Sequence, residues 1–139
     1  MTSIAVKAAD EVAAYLAAQT VGTTPIPCVR RLIVDEKIAA AKNLQVLAVP
    51  HSLESRIISR GSARDRTVTV DVGIMKRASE DELEDLLGLS QAVADLLEGH
   101  AFSSGVCVEI SFSPLYDAEL WLRQHSFFAV IVAKIRVLS

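Results

Sequence analysis

Apolar residues recur along the chain with two periods, and each period predicts a kind of element. Ile4, Ala8, Val12, Tyr15 and Leu16 fall at helical spacing, with Ala filling much of the remainder. This predicts a helix over residues 3–19, capped by Ser3 and ended by the TVGTTPIP stretch. Residues 28–34 (CVRRLIV) read as a strand, DEKIAAAKN after them as a short turn of helix, and 44–49 (LQVLAV) as a second strand stopped by Pro50. The clearest alternation is at 67–76. Val68, Val70, Val72 and Ile74 face one way, and Thr67, Thr69, Asp71 and Gly73 the other, as in a half-buried antiparallel strand.

Ser79 with Glu82 three residues on forms a capping box for a second helix. Its apolar stripe is Leu83, Leu86, Leu87, Val93, Leu96 and Leu97, and Gly99 is its natural stop. Gly88 inside it costs about 1 kcal/mol relative to Ala, which points to close packing there. Residues 106–112 alternate again, with Val106, Val108, Ile110 and Phe112 set against Cys107, Glu109 and Ser111. DAELWLRQ suits a short helical turn or an irregular link. Residues 126–138 form the last strand, with Phe127, Ala129, Ile131, Ala133, Ile135 and Val137 on one face. Phe128, Val130 and Val132 share the other, so the strand is central in a covered sheet or has one face at a subunit interface.

Residues 51–66 (HSLESRIISRGSARDR) fit neither period, and Ser59, Gly61 and Ser62 favour a long loop with some strand character at 54–58. Loops of this length in a small domain tend to be functional or disordered. The fold class is therefore α+β: a mostly antiparallel β-sheet packed against two α-helices, with a long loop around 51–66.

Composition sharpens this. A chain of 139 residues suits a single domain, 1–139, and at 51% apolar and 22% charged residues it has the composition of a folded protein. Aromatics are only 5%, so the core is aliphatic, with apolar surface to spare for self-association. A net charge of -3 lowers the prior for nucleic-acid binding. Two cysteines, Cys28 and Cys107, are too few for a disulfide framework and read as buried free thiols. The start lacks a secretory signal, and the longest apolar run, 127–133, falls far short of a membrane span, so a soluble intracellular protein is expected.

No motif for phosphate cradling, dinucleotide binding or zinc proteolysis is present, and no serine sits in a nucleophile elbow. His51, His100 and His125 lack metal-ligand spacing, so no cofactor or metal is expected and the chain reads as no enzyme. What remains is charge placement. Arg56, Arg60, Arg64 and Arg66 crowd the loop, while Glu80, Asp81, Glu84 and Asp85 crowd the start of the second helix. An acidic helix suits the positive N-terminal end of its own dipole. Together the two groups would also complement each other in a head-to-tail contact between copies, and a heterologous contact that closes makes a ring.

The runs SRGSARDRTVTVDVGIMKR (59–77), SEDELEDLLGLSQAVADLL (79–97) and PLYDAELWLRQHSFFAVIVAKIRV (114–137) resemble small proteins of phage tail gene clusters. The family they resemble is the tail terminator, or tail completion, group. The resemblance is clearest over 44–137 and departs at His125-Ser126-Phe127, where a Phe-Thr-Ser-like string is expected. It implies a non-enzymatic virion protein assembled in the host cytoplasm. Such a protein forms a six-fold ring on the end of the tail tube, stops tube polymerisation and joins the tail to the head connector. The partners implied are other copies of itself, the tail tube protein and the head connector, with DNA passing through the lumen unread. The loop 51–66 would be an assembly element. The alternatives are a head–tail adaptor or neck protein, a small non-viral binding module, and an enzyme whose loop closes over a pocket.

Overall fold

The computed structural model describes residues 3–33, 43–57 and 64–138. The elements run α1 (Ile4–Ala17), β1 (Thr20–Val21), β2 (Thr24–Pro25), β3 (Cys28–Arg30), β4 (Gln45–Ile57), β5 (Arg64–Arg77), α2 (Glu80–Leu97), β6 (Val106–Phe112), α3 (Ala118–Gln124) and β7 (Ser126–Leu138). β1 and β2 form a two-stranded ribbon; the other five strands make one sheet in the order β3-β4-β5-β7-β6. Only the β3–β4 pair is parallel. The α+β class holds, and the described residues contain three helices, one more than the two expected. The expected helical turn at 35–43 lies almost wholly outside the described residues.

The alternation at 67–76 is the spine of the core. Val68, Val70, Val72 and Ile74 of β5 lie beside Ile135, Ala133, Ile131 and Ala129 of β7, and all eight are fully buried. Helix α1 lies against β3, β4 and β5, burying Ala8, Ala9, Val12, Ala13 and Leu16. Alanine on that face lets the helix approach the sheet closely. Helix α2 lies against β6 and β7 through Leu86, Val93, Ala94 and Leu97. Each fully buried Leu or Phe contributes about 1.5–3 kcal/mol, so Leu16, Leu97 and Phe127 are major anchors. β7 is an interior strand, with β5 on one side and β6 on the other. Phe128, Val130 and Val132 on its second face are half-buried.

Four expectations are corrected. Within the loop expected at 51–66, the described residues 51–57 and 64–66 are strand. β4 runs through Pro50 to Ile57, and β5 begins at Arg64; the two form one antiparallel pair from Gln45↔Met75 to Ile57↔Arg64, and 58–63 lie outside the described residues. The register shifts between Pro50 and Ser52. That bulge inserts a residue and swaps the faces, which breaks the alternation in the sequence. Pro50 is tolerated because it stands at the bulge and because β3 covers β4 only over Val46–Ala48.

The strand expected at 28–34 is cut to Cys28–Arg30, the three residues that find partners on β4. On β6 the inward residue is Cys107, while Val106 and Val108 are exposed. A shift between Cys107 and Glu109 resets the pattern, so Ile110 and Phe112 face the core. Gly88 is not closely packed: it is exposed, and nothing lies within 4 Å of the place an added Cβ would occupy.

The close approach is at Gly105 instead. A Cβ there would lie 2.2 Å from the backbone oxygen of Arg136, on β7. The turn before β6 can therefore dock only as glycine. Gly105→Ala is expected to destabilise the fold by about 1–3 kcal/mol or more, measured by urea unfolding. Both cysteines are free and buried, and burial pushes the Cys28 thiol up to about 12. Cys107 is also raised, first by burial. Neither forms thiolate at neutral pH, so a thiol-reactive chromogen should titrate both only after denaturation.

Candidate interaction surfaces

The helices leave part of the sheet and both of its ends to solvent, and the candidate residues lie there. At one end stands the tip-side half of the β4–β5 hairpin. On β5, period two places Arg64 and Arg66 on the same side as the buried Val68, while Arg56 pairs with Asp65 on the opposite side. The arginines therefore do not form one patch. Arg56 and Arg64 are exposed and Arg66 half-buried; Arg60 lies outside the described residues. Asp65 is occupied within the chain, receiving two hydrogen bonds from Arg136 at 3.1 Å. Among the described residues Arg56, Arg64 and Arg66 form no ion pair. Ile57, the cross-strand partner of Arg64, is 71% exposed, and Leu53 is exposed as well.

The acidic group lies at the other end, where β5 leads through Ala78 and Ser79 into α2. Glu82 differs from its neighbours. Lys76 donates to its carboxylate at 2.5 Å, and the Ser79 amide and hydroxyl donate to it at 3.4 and 3.3 Å. The Lys76 hydrogen bond is the main reason its carboxyl is held below the usual carboxylate range, with the Ser79 amide second. Glu80, Asp81, Glu84 and Asp85 are exposed and form no ion pair among the described residues. The two charged groups thus sit at opposite ends of one sheet and cannot meet within a chain. The sequence pattern located both groups. It did not show Ile57 as an exposed apolar tip, because the broken alternation hid the strand.

Two concave regions deserve description. Beside α2, an open groove of about 710 Å³ is lined by the apolar Val21, Leu44, Leu86 and Leu89, by Gly88 and by the charged Lys76, Glu82, Glu84 and Asp85. On the sheet surface, a shallower hollow of about 360 Å³ holds His51, whose Nδ1 lies 2.8 Å from an Asp71 oxygen. Ser52, Thr69, Ser113 and Lys134 line the same hollow. A His–Asp pair beside serines raises the question of nucleophilic catalysis. Among the described residues no serine is hydrogen-bonded to His51, so the arrangement lacks the nucleophile–base contact that such chemistry needs. Nor do the described residues contain three or more His, Cys, Asp or Glu gathered to hold a metal ion. No helix among them is long and apolar enough to cross a membrane.

No protein-family model matches the chain, and no curated protein matches it. Solved structures do match in fold. One is a chain from the virion of a native gene transfer agent particle, at a TM-score of 0.60 and 17% sequence identity, covering 99% of this chain and 100% of that one. At this identity the likeness is one of fold, and it extends over the whole of both chains.

The Glu82 contacts give a pH prediction. A carboxyl whose folded value is lowered contributes stability that is present above its unfolded value and lost as pH falls through the folded one. Glu82→Gln should lower the melting temperature modestly at pH 7. The gap should narrow below the ordinary carboxylate range and close once both chains have passed the lowered value.

Proposed function

We propose that the chain is a structural virion protein, and specifically a tail terminator. It assembles with copies of itself into a six-fold ring on the end of the tail tube. The ring stops tube polymerisation and presents a surface to the head connector, while DNA passes through its lumen without being read. The observation that carries this reading is the end-to-end likeness in fold to a chain of a gene transfer agent virion. The resemblance of 59–77, 79–97 and 114–137 to tail terminators narrows it from virion protein to that role. The surfaces are of the right kind: free arginines at one end of the sheet, free carboxylates at the other, and apolar side chains exposed beside them.

In the ring, Arg56, Arg60, Arg64 and Arg66 of one copy face Glu80, Asp81, Glu84 and Asp85 of the next, or face the tube. Arg56, Arg64 and Arg66 lie at the opposite end of the sheet from these carboxylates, which suits a heterologous, closing contact. Each exposed ion pair is worth little singly, so the contact depends on several acting together and weakens with salt.

Negative-stain microscopy with light scattering should find rings with an open centre. Purified protein added to polymerising tube protein should cap the tubes. Tubes that grow on unhindered would refute the terminator role. Reversing Arg60 and Arg64 to Glu should weaken self-association and flatten its salt dependence, as read by sedimentation velocity between low and high salt.

A further inference from the structure

The last strand of the sheet on one side is β6, and its outer edge is only half covered. The Cys107 amide donates to His100, and the Gly99 amide donates to Cys107, so the preceding chain occupies the start of that edge. From Glu109 to Phe112, nothing among the described residues pairs with β6 on its outer side. The Ser113 amide donates to Val130 of β7. By the alternation of an antiparallel ladder, Ile110 and Phe112 therefore turn their backbone groups outward.

Toward the other side of the sheet, β3 is the only described strand beyond β4, and it flanks β4 only over Val46–Ala48. The Arg31 amide donates to Ala48, which sets the even residues before the bulge toward this outer side. The register shift between Pro50 and Ser52 inverts that alternation. Leu53, Ser55 and Ile57 then turn their backbone groups away from β5. Every residue from Leu53 to Ile57 is exposed.

The two stretches fit each other. β4 and β7 run one way, β5 and β6 the other. If the sheet continues from one copy into the next, β4 lies antiparallel to the neighbouring β6. In one register Ile110 stands opposite Ser55 and Phe112 opposite Leu53. Arg56 then faces Glu109, and Glu54 faces Ser111, all four on the face of the sheet away from α1 and α2. Glu109 is able to take a second cation: its side chain is 58% exposed, and Lys134 reaches only Oε2, at 3.1 Å. On the helix side Leu53, 46% exposed, meets Phe112. A shift of two residues one way sets Glu109 against Glu54. A shift the other way moves Arg56 to Ser111 and leaves Phe112 against Ser55. Charge and apolar contact thus select the same register.

We infer that Leu53–Ile57 of one copy adds to Glu109–Phe112 of the next, so that the sheet runs on between copies. Ile110 and Ser55 exchange main-chain hydrogen bonds, as do Phe112 and Leu53, and the Arg56–Glu109 pair fixes the register. The joint consumes two edges that would otherwise invite indiscriminate pairing. The inference rests on the ring reading above and gives that ring its repeating contact, with Arg56 turned to Glu109 and not to α2. Each copy offers one edge of each kind, so the contact is heterologous and propagates until it closes.

Cysteine pairing tests the register. Opposed residues of a non-hydrogen-bonded pair have Cα atoms about 4.5 Å apart, within reach of a disulfide. The double variant Arg56→Cys, Glu109→Cys should give, on mild oxidation, a ladder of linked copies on a denaturing non-reducing gel. The two positions lie on different strands with β5 and β7 between them, so they cannot link within one chain. Each single variant should give no ladder, and neither should Glu54→Cys with Glu109→Cys. Ser55→Pro tests the backbone pairing. Its amide points away from β5, and edge strands tolerate proline there. This variant should melt as the unaltered chain does, yet associate at least about tenfold more weakly in sedimentation velocity. Should it fail to fold, the cysteine pair decides.

Undiminished association of a folded Ser55→Pro would overturn the joint. So would the absence of a ladder from the Arg56→Cys, Glu109→Cys chain, or linked dimers of Glu109→Cys alone, which would pair β6 with β6. An unaltered chain that stays monomeric at every concentration and salt would overturn it too. The tube-capping assay keeps the two readings apart. Capping by a chain without this joint overturns only the joint, and rings linked through this joint that fail to cap overturn only the terminator role.

Discussion

The pairing of β5 with β7 is the constraint to which the rest of the fold is referred. Thirteen residue pairs run from Asp65↔Leu138 to Arg77↔Ser126. Because side chains alternate strictly along a strand, a slip of one residue would carry Val68, Val70, Val72 and Ile74 out of the core together. The register is therefore fixed by hydrophobic burial along its full length. It then decides where everything else sits. α1 covers the β4–β5 side and α2 the β7–β6 side. α3 is tied back to the strand ends by the Trp121 indole donating to the Ala78 carbonyl and by the Ala78 amide donating to His125.

That same alternation explains what could be read directly from the sequence. β5, β7 and α2 were legible because each obeys one period throughout and α2 announces its start with Ser79 and Glu82. The outer half of β4 was not, because a bulge at Pro50–Ser52 interrupts the period and the strand carries polar residues on both sides of an edge. The inward face of β6 was misread for the same reason, one residue being absorbed between Cys107 and Glu109. Of the surfaces, charge placement was visible in the chain and concavity was not. The groove beside α2 joins residues from Val21 to Leu89, and no local pattern connects them.

Charges are sorted by position in a way composition alone does not reveal. Several charged and titratable groups on the sheet pair with one another: Lys134 with Glu109, Arg136 with Asp65, His51 with Asp71. Among the described residues, Arg56, Arg64 and Arg66 toward one end of the sheet and Glu80, Asp81, Glu84 and Asp85 on α2 form no ion pair.

The place of β7 in the sheet has a consequence for biosynthesis. It lies between β5 and β6, yet it follows both in the chain. While a nascent copy is still on the ribosome, β5 lacks one of its two neighbours and β6 lacks its only one, and the aliphatic interior is open between them. These long-range pairings have high contact order, which makes closure slow compared with helix formation. Until residues 126–138 emerge, each nascent copy exposes strand edges to others being translated on the same message. Translation rate and spacing of ribosomes on that message therefore bear on the yield of correctly closed subunits.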